Sequence, residues 1–240
     1  GVNEVVGNAV GIESVAAEFQ RQKIADNVTG ARGSGTIGGT SLDAANLFAG
    51  NRTGVADFTG VVQYSRFSRN LSAAIDVTAP MAGLVVRHNT FNGNPSGVRV
   101  TATTGVEIVQ NTFLTTGDNV RVQGGSVNVR VVGNVMWTKG GYDIFVANDS
   151  QAGFWSDFNT LYASGTGKLG FWTKDFTDIL DWQADIARFD LHSVGATKVN
   201  PGWAKPRFYD ATGDDLRIFE AAAGLRFTSP SDNGWFEGEF

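Results

Sequence analysis

Two arginines in matching surroundings are the residues of this chain best suited to chemistry. Arg99 stands in Gly97-Val98-Arg99-Val100 and Arg121 in Asn119-Val120-Arg121-Val122. In a half-buried strand the valines turn inward and the arginine between them turns outward. Asp76 in Ala74-Ile75-Asp76-Val77 and Phe145 in Ile144-Phe145-Val146 hold the same outward place. Were these strands neighbours, Asp76, Arg99, Arg121 and Phe145 would form one column. Two guanidinium groups one strand apart suit the bidentate clamping of carboxylates on an acidic polysaccharide. The plainer reading is an exposed Asp76–Arg99 ion pair with Arg121 in solvent, worth under about 1 kcal/mol.

Other groups compete for the role. Trp137, Tyr142, Phe145, Trp155, Phe171 and Trp172 lie close together in sequence. Exposed aromatic faces suit the apolar C–H faces of sugar rings, and the same residues would equally cover a junction with the C-terminal region. Asp118 and Asp143 sit just before Val-Arg-Val and Ile-Phe-Val. They are candidates for calcium if loop oxygens converge, and otherwise are turn formers. Val85, Glu107 and Arg130 read as a second outward column with a cross-strand charge pair. The only histidines, His88 and His192, lie in different segments, with no Ser/His/Asp arrangement and no HExxH. His192 reads as a hydrogen-bonding residue of the C-terminal region, and no cofactor other than calcium is implied.

What positions these residues is a repeat. Leu84-Val85-Val86-Arg87-His88-Asn89-Thr90-Phe91 matches Val106-Glu107-Ile108-Val109-Gln110-Asn111-Thr112-Phe113, and a third copy runs from Val129 to Met136. Weaker copies extend the series to Asn8, Asn27, Asn46, Ser65, Asn89, Asn111, Asn134 and Asn159, with steps of 19, 19, 19, 24, 22, 23 and 25. A short β repeat with Asn at one turn predicts an all-β fold, a right-handed parallel β-helix of about eight coils. Those eight residues are expected to stack as one ladder, with Asn as the left-handed turn residue. Phe48, Phe67, Phe91, Phe113, Met136 and Leu161 would stack inside. The lengthening steps place loops at Arg69–Ala82 and Met136–Gly141.

Composition agrees. The 240 residues carry 31 Gly against 5 Pro, which fits short strands and tight turns rather than long helices. A net charge of −5 argues against a nucleic-acid partner. No apolar run reaches the ~18 residues of a membrane span. The lack of cysteine excludes disulfides. Asn-x-Ser/Thr triplets at Asn27, Asn51, Asn70 and Asn148 are put down to chance in a chain rich in these residues.

Past Trp172 the repeat stops. Asp175-Phe176-Thr177-Asp178 predicts a helix start, with Phe176, Ile179, Leu180, Ala184 and Ile186 near helical spacing. The coils are therefore assigned to 1–174 and a C-terminal cap with a short helix to 175–240. Trp182, Phe189, Trp203, Phe208 and Phe219 would form its apolar underside. Nothing comparable precedes the first coil, which reads as a mature or excised fragment whose partner is the remainder of a parent polypeptide.

The unit Gly97-Val98-Arg99-Val100 … Val106-Glu107-Ile108-Val109-Gln110-Asn111-Thr112-Phe113 resembles the repeat of right-handed parallel β-helix proteins of the pectate-lyase-like superfamily. Trp182, Asp190-Leu191-His192-Ser193, Asn200-Pro201, Asp215-Leu216-Arg217 and Ser229-Pro230 are similar to the closing segment of secreted bacterial β-helix proteins. The resemblance implies an extracellular or cell-surface bacterial location and a glycan partner. It implies that the sheet bearing Arg99 is the catalytic one in the lyases, where an arginine assists proton abstraction beside a uronate carboxylate. The paired aspartates of polygalacturonase-like hydrolases are missing from the coils, and Asp214-Asp215 falls in the tail. Three readings follow: a non-catalytic carbohydrate-binding or adhesion/scaffold module, a polysaccharide lyase or epimerase acting on acidic glycans through Arg99 and Arg121, and a structural stalk.

Overall fold

The structure, a computed structural model, describes residues 3–186 and 189–220. The Ser229-Pro230 part of the resemblance, and the side chains of Ile186 and Phe219, lie outside the described residues. The chain is an all-β parallel solenoid of about seven turns, with one short α-helix among the described residues. Apolar alternation in short strands sets this outcome. Each coil buries one face of its strands inside the tube and pairs its edges with the coils on either side.

One sheet has nine strands, from Asn3–Val6 through Gln22–Ala25, Leu47–Ala49, Arg66–Ser68, Thr90–Asn92, Thr112–Thr115, Val135–Thr138 and Thr160–Ala163 to Val194–Gly195. The second sheet begins as three long strands, Val10–Phe19, Thr29–Ile37 and Thr53–Gln63. Beyond Gln63 it divides into two limbs. One holds Ala73–Val77, Ser96–Thr101, Asp118–Gln123, Tyr142–Val146 and Lys168–Trp172; the other holds Leu84–Arg87, Glu107–Val109, Arg130–Val132 and Trp155–Asp157. Thr53–Gln63 joins them, pairing with Ala73–Val77 along one half and Leu84–Arg87 along the other.

The division explains part of the lengthening period. In the early coils the bend is made within one strand by glycines: Gly35 (φ 120°) and Gly60 (φ 108°) take conformations open to few other residues. A Cβ on Gly60 would stand 2.2 Å from the Gly35 carbonyl oxygen. Later coils turn the same corner with inserted residues, 78–83 in the first case. The expected loop Arg69–Ala82 is thus wrong in its middle. It contains the strand Ala73–Val77, all five residues buried, because an Ala-Ala-Ile run facing inward on a tight corner shows no alternation. Met136–Gly141 is likewise strand through Thr138, with only the remainder turning.

The expected aromatic column is present. Phe48, Phe67, Phe91 and Phe113 stack with centroids 4.8, 5.0 and 4.4 Å apart. Met136 and Leu161 continue the register.

The asparagines form two ladders at two corners, not one. Asn8, Asn27, Asn51, Asn70 and Asn94 form the first. Each of the first four donates its backbone N–H and side-chain Nδ2 to the Oδ1 of the next, at 2.9–3.2 Å. The second runs through Asn46, Ser65, Asn89, Asn111, Asn134 and Asn159. The single-ladder assignment therefore misplaces Asn8 and Asn27. The left-handed residue is also not the Asn but the one before it: Asp26, Arg69, Tyr64, His88, Gln110 and Phe158 have φ between 42° and 57°. Asparagine supplies the hydrogen bonds while its neighbour carries the turn. Three of the four Asn-x-Ser/Thr triplets, at Asn27, Asn51 and Asn70, fall on buried rungs.

At the C-terminal end Lys174–Phe176 turns back antiparallel on Lys168–Trp172. The helix Ile179–Ile186 follows, with Asp178 accepting the Leu180 N–H at 2.8 Å. Trp182 is fully buried against Gly170, where a Cβ would meet its ring at 2.5 Å. Phe176 and Phe189 join it in the buried core. The second ladder ends here, Asn159 donating its N–H to Ser193 (2.7 Å) and its Nδ2 to Asp190 (2.9 Å).

The tail is more than an end cap. Beyond Gly195 it runs back along the outer face of the nine-stranded sheet and forms the antiparallel hairpin Arg207–Asp210/Asp215–Glu220. The hairpin turn reaches Ser68, Arg69 and Asn92. The reason is apolar surface: Leu114, Val135 and Tyr162 project outward from that sheet and are buried. Phe208 lies on Trp137, and Leu216 is buried. Trp203 is half-buried.

Candidate functional site

The proposed column exists in register. Asp76, Arg99, Arg121, Phe145 and Phe171 are consecutive partners across the first limb of the second sheet, between inward Val98/Val100 and Val120/Val122. The strand pattern alone brings these five side chains to one face.

Each cation on this face is engaged by a carboxylate of the same face. Arg99 grips Asp76 with both Nε (2.8 Å) and Nη2. That hydrogen bond foremost raises the Arg99 pKa further, and burial opposes it. Arg121 is not solvated, as the plainer expectation had it. Its Nε donates to Asp118 at 2.5 Å, and its guanidinium lies 3.8 Å from the Phe145 ring centre. Asp118 uses its other oxygen to accept the Tyr142 N–H at 3.0 Å. Lys168 and the Tyr142 hydroxyl share Asp175 at 2.6 and 2.7 Å. Burial, and next that hydrogen bond, push the Tyr142 hydroxyl pKa up.

The aromatic candidates separate into two groups. Phe145 and Phe171 stack on each other at 4.7 Å, with Tyr142 set at an angle beside them. Both faces of Phe145 are occupied, one by Arg121 and one by Phe171. Trp137 is elsewhere, on the nine-stranded sheet, enclosed by Tyr162, Phe208 and Lys205, with its Nε1 on Ser164 at 2.8 Å. Trp172 packs against Phe154 and Phe189 at the closed end. Neither belongs to the Arg99/Arg121 face, and both cover the junction with the tail.

Asp118 and Asp143 do not converge on a calcium site. Asp118 lies outside in the contacts just given. Asp143 is fully buried inside the corner, accepting from the Asn119 amide at 2.6 Å, while among the described residues its Oδ2 has no hydrogen-bond partner. Burial drives its pKa well above the usual carboxylate value, against opposing hydrogen bonds from Asn119 and the backbone. Among the described residues no group of three or more His, Cys, Asp or Glu is placed to hold a metal ion.

Glu107 and Arg130 pair at 3.2 Å on the other limb, as expected. His192 is also where its reading put it, in the tail. Its N–H and Nδ1 meet Asp157 at 2.9 and 2.7 Å, and its ring stacks on Phe158. His88 fills the left-handed turn position and stacks on Tyr64. Its pKa is lowered by burial and then by Arg87. Sequence reasoning missed the Asp118–Arg121 pair. The signal was their spacing of three at a strand start, where the chain bends enough for both side chains to meet.

No family model, curated protein or solved structure matches the chain. Among the described residues no helix is long and apolar enough to cross a membrane.

Proposed function

We propose that this chain is a non-catalytic scaffold module of a secreted or cell-surface bacterial protein, a rigid β-helical rod rather than a lyase or epimerase. One observation carries the reading: Arg99 and Arg121 both spend donors on carboxylates of their own face, Asp76 and Asp118. An arginine that is to bind a uronate must first give up such a partner and leave a half-buried carboxylate behind. That costs about 1–3 kcal/mol before any ligand is gained. The resemblance of the repeat to secreted β-helix proteins supports the location. A second reading, contact with an acidic glycan, is favoured by the half-exposed Arg121, Tyr142, Phe145 and Phe171 lying side by side. A glycan array distinguishes the two. Blank spots across acidic polysaccharides support the scaffold; binding abolished by Arg121→Ala establishes the glycan contact instead.

A further inference from the structure

The helix Ile179–Ile186 seals the core with one face and turns the opposite one to solvent. Ile179 and Trp182 are buried, while Leu180 is 57% exposed and Ala184, one turn on, is exposed as well. A third apolar side chain joins them. Val199, 93% exposed, is brought to the first turn of the helix by its neighbour Lys198. That residue donates its N–H to Asp178 at 2.7 Å and its ammonium to Asp181.

Charge borders this apolar spot in a definite order. Asp181 pairs with Lys198 at the start of the helix and Asp185 with Lys174 toward its end. All four side chains are well exposed, from 44% to 66%. Re-pairing them therefore costs little, unlike opening the half-buried Arg99–Asp76 and Arg121–Asp118 pairs. A partner of one charge sign would gain at two of these groups and lose at the other two. A partner carrying the same groups in reversed order gains at all four, and a twofold rotation of the face itself supplies that partner. At 3.6 residues per turn, Asp181 and Asp185 flank the Leu180/Ala184 stripe on the same side. Two helices packed antiparallel, Leu180 of one copy against Ala184 of the other, thus bring Asp181 and Lys198 of one copy to Asp185 and Lys174 of the other.

We infer that the helical cap is a self-association surface, joining two copies of this chain through their helix-closed ends into a rod of double length. The contact centres on three small or medium apolar side chains, less than a lasting dimer buries. Association is accordingly reversible, setting in at roughly 0.1–1 mM. The inference does not depend on the scaffold reading, because the cap lies at the end of the rod and not on the Arg99/Arg121 face.

Sedimentation of the intact protein over a concentration series is the test. The wild type should pass from monomer to dimer, and Leu180→Ser, a change at an exposed position, should remain monomeric with an unchanged circular dichroism spectrum. Asp181→Asn with Asp185→Asn leaves only the four lysines of the two copies at the contact and should weaken the dimer at least about tenfold. The chain has no cysteine, so Ala184→Cys should cross-link to itself under oxidation at least about tenfold faster than Val15→Cys, a position exposed at 82% but far from the helix. A monomer up to ~1 mM, a dimer that Leu180→Ser leaves intact, or equal cross-linking of the two cysteine variants overturns the inference.

Discussion

Asp143 is a carboxylic acid held far from its ordinary, solvated environment. It sits in the inward corner position that Gly97 and Asn119 hold in earlier coils, fully buried, with one oxygen unpartnered among the described residues. Its folded pKa is raised, so the folded chain holds a proton that the unfolded chain releases near about pH 4. The stability this proton allows is fully present below that pH and is lost as pH rises toward the folded value. Asp190, also raised by burial, acts in the same direction. Asp143→Asn keeps the shape and the Asn119 contact without the ionisation. It should leave stability at acid pH nearly unchanged and raise it by about 1–3 kcal/mol at neutral pH. Urea unfolding at both pH values checks this, and a variant with the wild-type pH profile would show that Asp143 is not the source. On the outer face, Arg99→Ala strands Asp76, whose residue is only 8% exposed. It should cost about 1–3 kcal/mol, and the loss should be smaller in the Asp76→Ala background.

At the scale of elements, the coils and the tail are held by different forces. Truncating Phe91 in the middle of the ring stack should cost about 3–5 kcal/mol in unfolding free energy. The hairpin Arg207–Asp210/Asp215–Glu220 adds to its apolar packing on the nine-stranded sheet a set of polar contacts at its turn. Asp214 accepts from Ser68 and Arg69 at 2.8 Å and from Asn92 at 2.6 Å. Asp214→Ala should speed hydrogen exchange and proteolytic cleavage across 207–220 while the coils keep their protection. Uniform loss of protection would mean that strap and solenoid unfold as one unit. The strap was also the element least legible in the sequence. Its residues have no period, and the need for it comes from Leu114, Val135 and Tyr162 facing outward, visible only once the sheet is assembled. The strands themselves were legible because Val-x-Val alternation and the Phe column repeat at near-constant spacing. The two ladders merged into one because Asn27 to Asn46 happens to span 19 residues, the same as the true rung Asn8 to Asn27. Gly before Asn does not separate them: Gly7-Asn8, Gly50-Asn51 and Gly93-Asn94 stand at the first corner and Gly133-Asn134 at the second.

For the molecule as a whole, the sequence placed the outward column correctly and could not say whether its arginines were available. Alternation determines which way a side chain points; availability depends on Asp118 reaching Arg121 around a bend and on Phe145 lying beneath the guanidinium. Those contacts make the face a set of closed pairs along a stiff rod, with its C-terminal end closed by the helix. We propose that this rod performs no chemistry on acidic glycans. The most direct test follows the ultraviolet absorbance of unsaturated uronate while the intact protein is incubated with alginate, pectate and glycosaminoglycans, with and without calcium. The account predicts traces indistinguishable from blanks for the wild type and for Arg121→Ala alike. A rise in absorbance with the wild type that disappears in folded Arg121→Ala would contradict it.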